Sequence, residues 1–163
     1  MPRRHFRRNV PIRIRKVQPS DIEAVVLIER EQFPVPWPKE YFFAELDNPI
    51  ASFLVAVEET DGGIIGFMVF WMMDRDIELH QIAVSSGEKR RGVATKLLRF
   101  LLQSGRERRI ESIHLEVRQS NAAAIRLYEK FGFRKSGQRK DYYQNPMEDA
   151  CLFFLSLASP GPR

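Results

Sequence analysis

Lys89, Arg90 and Arg91 stand directly before Gly92 in the run ELHQIAVSSGEKRRGVATKLLRFLL, where an apolar strand gives way to a short polar loop and then to a leucine-rich helix. That arrangement can hold an anion. The first turn of a helix leaves backbone N–H groups without intrahelical partners and carries the positive end of the helix dipole. Gly92 lets a phosphate approach the backbone, Ala94 keeps the next turn clear, and the three cations add long-range attraction. The same residues also fit an ordinary strand-to-helix turn with a basic, solvated rim, and it is the order of elements that favours the anion site. Two side chains downstream can handle protons. Along Ser112 to Val117, Ile113, Leu115 and Val117 share one face, so His114, Glu116 and Arg118 point to the other. Tyr128 shares a helix face with Ala124, Leu127 and Phe131. A carboxylate can take a proton and a phenol can give one. Equally, Glu116 fits a solvated strand carboxylate paired with Arg118 or with a neighbouring strand, and Tyr128 a core aromatic.

The elements that must position these groups follow from periodicity. Ile12 to Val17 alternates apolar and basic residues as a strand with one buried face, and Pro19-Ser20-Asp21 starts a helix carrying Ile22, Val25, Val26 and Glu29 at helical spacing. Pro34, Pro36 and Pro38 end it in a loop from Phe33 to Pro38. Lys39 to Asp47 forms a short second helix. Ser52 to Val57 and Ile64 to Met73 flank an Asp61-Gly62-Gly63 turn, and Asp76 to Val84 is a third strand of this set. Beyond Gly92, the positions Ala94, Leu97, Leu98, Leu101 and Leu102 trace an amphipathic helix ending near Gly105. Ser112 to Val117, a helix from Asn121 to Phe131, and closing strands Arg134 to Tyr143 and Ala150 to Leu157 complete a mixed α/β sheet.

At 163 residues and 44% hydrophobic content, the chain suits one domain with its own core. No apolar run approaches the roughly 18 residues of a membrane span, and MPRRHFRRNV lacks the apolar stretch of a signal peptide, so a cytoplasmic protein is expected. Cys151 has no cysteine to pair with, and His5, His80 and His114 do not make metal-ligand spacing. The net charge of +5 invites a nucleic-acid partner, but the cations are spread over the N-terminal tail, the Lys89 cluster and the segment Arg134 to Lys140. Residues 1–11 and 158–163 read as disordered ends around a single domain at 12–157. No membrane partner and no specific nucleic acid are expected, and nothing in the sequence sets an oligomeric state.

KRRGVATKLL resembles the pyrophosphate-binding loop of the GNAT acetyltransferases, Q/R-x-x-G-x-G/A, with Lys89 where Gln or Arg is usual and Gly92 and Ala94 matching the small residues. IHLEVRQSNAAAIRLYEKFGFRKSG resembles the L-E-V-R-x-S-N-x-x-A-I-x-L-Y-x-x-x-G-F signature of that superfamily's ribosomal-protein alanine N-acetyltransferase (RimI-like) group. FPVPWPKEYF and RKDYYQNPMEDACLF are similar to the same group's F-P-W and R-x-Y-Y segments, so the likeness runs from about Ile12 to Leu157.

The resemblance implies a GNAT fold: a mixed, mostly antiparallel twisted sheet with splayed central strands and helices on both faces. It implies acetyl-CoA, cradled by Ile82, Ala83, Val84, Lys89, Arg90, Arg91, Gly92, Val93, Ala94, Thr95, Asn121 and Tyr128, and a protein N-terminus, with that of a ribosomal protein as one candidate, as acceptor. Acetyl transfer to an amine must remove a proton from the amine and supply one to the thiolate. Glu116 takes the place of the base and Tyr128 that of the acid, with Glu78 a second candidate base. Tyr142 and Tyr143 resemble paired tyrosines of a peptide cleft, with Phe33 and Trp37 on its opposite wall. Asn121 is expected to cap its helix as well as bind coenzyme, and His114 and Cys151 to pack. The rivals are a GNAT acting on a small amine or lysine side chain, and a ribosome- or RNA-associated basic module that has kept the fold without catalysis. The tyrosine pair and the F-P-W-like loop count against the first, and retention of Glu116 and Tyr128 against the second.

Overall fold

A computed structural model of the protein describes residues 10–158, so the expected disordered ends fall almost entirely outside the described part. The elements run β1 (Ile12–Lys16), α1 (Ile22–Gln32), α2 (Lys39–Leu46), β2 (Ala51–Glu58), β3 (Ile64–Met73), β4 (Asp76–Val84), α3 (Val93–Glu107), β5 (Ser112–Arg118), α4 (Ala122–Lys130), β6 (Arg134–Tyr143) and β7 (Glu148–Ser156). Short 3-10 turns at Pro19–Asp21 and Ser86–Glu88 precede α1 and the loop before α3. The strands form a seven-stranded sheet in the order β1-β2-β3-β4-β5-β7-β6. β1 pairs antiparallel with β2, as do β5 with β7 and β6 with β7. β4 and β5 are parallel over Asp76–Leu79 and Ser112–Leu115. A parallel pair needs a crossover between its strands, and α3 supplies it.

The described residues form two compact units, 10–69 with Gln81–Phe100, and Phe70–His80 with 101–158, so β3 and β4 each contribute residues to both. In the first unit, Ile22, Val25, Val26 and Ile28 of α1 and Phe42 of α2 are buried with Phe53, Val55 and Val57 of β2 and Phe67 and Val69 of β3. The rings of Phe42, Phe53 and Phe67 meet at centroid distances of 5.6 to 6.3 Å. The expected α1 stripe is this buried face. Arg15 of β1 holds Asp21, whose carboxylate also accepts from the Gln18 N–H at 2.7 Å. This tie fixes where α1 starts.

In the second unit, Ile113, Leu115 and Val117 of β5 are buried while His114 and Glu116 are exposed, as the alternation requires. One expectation needs correction. Gly105 does not end α3, which continues to Glu107. A Cβ at Gly105 would lie 2.8 Å from Leu157 and 3.5 Å from Ile77, so this glycine permits close packing inside the helix. His114, expected to pack, sets its ring against Phe154 at 5.8 Å, and the same half-exposed ring meets the Ser112 hydroxyl at 2.7 Å and lies 3.9 Å from Asp76. Cys151 is buried. No helix among the described residues is long and apolar enough to cross a membrane.

Candidate active site

The loop between β4 and α3 belongs to the first unit. Ser85 donates its N–H to Ile65 O at 2.9 Å, tying the end of β4 to β3. Arg90 at φ 67° and Gly92 at φ 76° then turn the chain into α3. Only glycine adopts that conformation without strain, and a Cβ at Gly92 would meet nothing within 4 Å. Space over Gly92 is therefore open. Val93 is buried and anchors the first turn, while Ala94 and Thr95 are half-buried. Lys96 N–H donates to Gly92 O at 3.0 Å, so the N–H groups of Val93, Ala94 and Thr95 precede the first closed turn. Ile82, Ala83 and Val84 form the end of β4. Open backbone at a helix start, with small residues and the exposed cations Lys89 and Arg90, fits a pyrophosphate.

Arg91 behaves differently from its neighbours. Its side chain is 7% exposed and pairs with the buried carboxylates of Glu58 and Glu88. Burial works against the charged guanidinium, but its hydrogen bonds to Glu58 and Glu88 more than offset this and raise its pKa. The expected attraction from three cations is thus corrected to two. Arg91 instead pins the loop between the end of β2 and the Ser86–Glu88 turn. Arg91→Ala would strand two buried carboxylates and should lower unfolding stability by about 3–5 kcal/mol in a denaturant titration. Gly92→Glu places a strained, negatively charged side chain over the open backbone. Calorimetry should find acetyl-CoA binding lost in the folded variant, and unchanged affinity would sink the assignment.

Phe33 and Trp37 lie in the loop between α1 and α2, partly buried against the first unit's core. The Trp37 ring stands 5.4 Å from Phe42 and 6.1 Å from Tyr41.

In the second unit, the Glu116 carboxylate accepts a hydrogen bond from the exposed Tyr142, and Arg139 Nη2 lies 3.4 Å from its Oε1. The bond to Glu116 favours the protonated phenol, so the Tyr142 pKa is raised. Tyr143 packs edge-on to Tyr142 at 5.1 Å and lies beneath the Arg118 guanidinium at 4.5 Å. Burial, then the nearby Glu116 charge, pushes Tyr143 up to about 12. Arg118 is held in turn by Glu148 at 3.0 Å and by the Pro146 and Gln144 carbonyls. Tyr128 on α4 is buried against Phe133, and burial followed by Tyr143 raises its pKa strongly. Its phenol therefore keeps its proton throughout the neutral range. Asn121 caps α4, with Oδ1 accepting from Ala124 N–H at 3.2 Å. Glu78 lies 3.5 Å from His80, whose ring packs on Trp71 at 4.2 Å.

The structure thus gathers Glu116, Tyr142 and Tyr143, and links Tyr128 to Tyr143 electrostatically. It also brings in Arg139, missed as a partner of Glu116, while Arg118, the partner expected for Glu116, pairs with Glu148 and covers Tyr143 instead. Their roles depend on strand register, with Arg118 opposite Ala150 and Arg139 opposite the same residue on the far side of β7. Glu29 was missed too, hidden in the apolar stripe of α1. It is fully buried, and burial pushes its carboxyl up to about 7 against the opposing hydrogen bond from Trp37. The signal was available: a carboxylate occupied a position that periodicity assigned to the core.

Comparison with known proteins follows the same lines. Residues 22–133 match the model of the Acetyltransferase (GNAT) family. A Bacillus subtilis (strain 168) protein with the provisional name ribosomal protein bS18 alanine N-acetyltransferase is 34% identical over 145 residues, covering 88% of this chain and 95% of its own length. An N-alpha-acetyltransferase from Sulfurisphaera tokodaii is 32% identical, covering 89% and 93% respectively. The crystal structure of the Escherichia coli ribosomal-protein-S18-alanine N-acetyltransferase superposes with a TM-score of 0.84 at 28% identity, over 93% of this chain and 97% of that one. GNAT acetyltransferases take their acetyl group from acetyl-CoA. On the match to the family model and the likeness to these relatives, this chain belongs to the GNAT acetyltransferase family and is an N-acetyltransferase.

Proposed function

We propose that the protein transfers the acetyl group of acetyl-CoA to the α-amine of a protein N-terminus, with a ribosomal protein as the leading candidate. The observation that carries this is the second-unit cluster of an exposed Glu116 carboxylate hydrogen-bonded to Tyr142, beside Tyr143 and Arg139. A carboxylate so held can accept a proton from an ammonium group, and two tyrosines can flank a peptide backbone. The names of the relatives, which act on ribosomal protein bS18 or carry N-alpha-acetyltransferase activity, support the same acceptor class.

The loop from Lys89 to Thr95 and the β4 residues Ile82–Val84 bind the donor, and Asn121 adds a polar contact to its capping role. Glu116 removes the proton from the amine, directly or through water. A terminal α-amine, with a reference pKa of about 8, is more readily deprotonated than lysine at about 10.4. The neutral amine attacks the thioester carbonyl, the C–S bond breaks, Tyr128 supplies its proton to the departing sulfur, and the excess proton left on the new amide nitrogen is released, directly or through water, to restore the phenol. Glu78 is the reserve base. Phe33, Trp37, Tyr142 and Tyr143 contact the acceptor. Acceptor and donor react directly, gaining rate from orientation, with no acyl-enzyme on Cys151. The protein works in the cytoplasm, where acetyl-CoA and ribosomes meet.

The test is initial rates of acetyl-CoA turnover with short peptides differing in first residue, beside free lysine and polyamines. Preferential turnover of peptides with a small first residue supports the proposal. Preference for lysine or polyamine refutes it.

A further inference from the structure

Glu29 is spent in neither the donor loop nor the proton-transfer cluster, yet it sits fully buried in the first unit. Its Oε1 accepts from the Trp37 backbone N–H at 3.0 Å and from the Gln81 side-chain amide at 2.9 Å. Its Oε2 is buried without a hydrogen-bond partner. No cation among the described residues forms an ion pair with it: Arg15 is taken by Asp21, Lys39 by Glu23, and Arg91 by Glu58 and Glu88. A buried, half-satisfied carboxyl costs free energy where Leu or Ile would gain it, so stability does not account for this residue.

What Glu29 touches does account for it. The segment from Phe33 to Pro38 carries Pro34, Pro36 and Pro38, which have no N–H to give, leaving Val35 and Trp37 as its interior donors. Glu29 takes the Trp37 donor and closes the loop from the last full turn of α1. Through Gln81 the same oxygen reaches β4 one residue before Ile82–Val84. The end of α1 is tied to the following loop as well, since Glu31 Oε1 accepts from the Ser86 N–H and Gln32 Nε2 donates to the Ser86 hydroxyl at 2.8 Å. The acceptor-side loop and the donor-side strand are therefore held from one short stretch of helix.

We propose that Glu29 is a positioning residue for the acceptor, its buried carboxyl fixing the Phe33–Pro38 loop against the Gln81 segment of β4 and thereby setting acceptor affinity. This rests on the assignment of Phe33 and Trp37 to the acceptor side. With its carboxyl held near pKa 7 by burial, Glu29 is substantially neutral at and below neutral pH. Glutamine reproduces that neutral form: its carbonyl accepts the same two bonds, and its NH2 replaces the protonated oxygen.

The experiment compares E29Q and E29L with the wild type. E29L leaves two donors unpaired and should raise the peptide KM by about tenfold or more, the worth of one to two buried hydrogen bonds. Its acetyl-CoA Kd by calorimetry should stay within about twofold, and E29Q should restore the peptide KM to within about threefold. Hydrogen exchange at the Trp37 amide, which needs no acceptor, should be fast in E29L and protected in E29Q. If E29L does not fold, Q81L carries the same test from the β4 side, with an expected KM rise of about threefold for the loss of one bond. The proposal is overturned if E29Q is as impaired as E29L, if acetyl-CoA affinity falls in step with acceptor KM, or if Trp37 exchange is unaffected. A wild type that acetylates no peptide N-terminus while E29L still frees the Trp37 amide would refute the acceptor assignment and not the anchoring.

Discussion

Tyr128→Phe is expected to lower kcat by about 100- to 10,000-fold, the usual worth of one positioned proton donor. The substitution keeps the ring that packs on Phe133 and removes the hydroxyl alone. The phenol is needed as charge develops on sulfur, so the loss should fall on kcat and leave acetyl-CoA affinity nearly intact. Burial raises the Tyr128 pKa, so the group is protonated over the whole working range and the wild-type kcat should have no ionisation limb from it below pH 9. Stopped-flow acetylation of a peptide, with melting temperatures as the fold control, measures both. A folded variant with near-wild-type kcat would remove Tyr128 from the mechanism.

Glu116→Gln should cost about as much, roughly 100- to 10,000-fold in kcat/KM near pH 6, but with a different pH signature. Gln keeps an oxygen to accept the Tyr142 hydroxyl and gives up the Arg139 pair, an exposed contact at 3.4 Å whose loss matters little to stability. The missing function is deprotonation of the acceptor amine. As pH rises through the amine's own pKa of about 8, the free amine forms unaided and part of the rate should return. The two variants are thus separable by pH: the Tyr128→Phe defect is flat, and the Glu116→Gln defect shrinks with rising pH. A Glu116→Gln defect that is absent at every pH transfers the base to Glu78, and Glu78→Gln becomes the variant to measure.

The fold was legible because strands and helices here obey their periods. The bounds of β3, β4 and β6 agree with those read from the sequence, and β5 shows the buried and exposed alternation that turned Glu116 outward. Gly105 misled because glycine serves two purposes, ending helices and admitting neighbours, and the neighbour that decides the matter, Leu157, is distant in sequence. Arg91 misled for a related reason. Its place between Arg90 and Gly92 suggested a loop cation, but its partner Glu58 lies 33 residues earlier, at the end of β2. Glu29 could have been noticed as a carboxylate in an apolar stripe, though not its reach to Trp37 and Gln81. Local chemistry was readable throughout, while pairing across the sheet or between an element and a loop depended on tertiary structure.

The most direct measurement uses one short peptide with an N-terminal alanine and an internal lysine, prepared with its α-amine free and with it blocked. Each is incubated with the protein and acetyl-CoA, and the acetylated position is read by tandem mass spectrometry. The account predicts a single acetyl group on the α-amine of the free peptide and none on the blocked one. Acetylation of the lysine in both peptides, with the α-amine untouched, would contradict it.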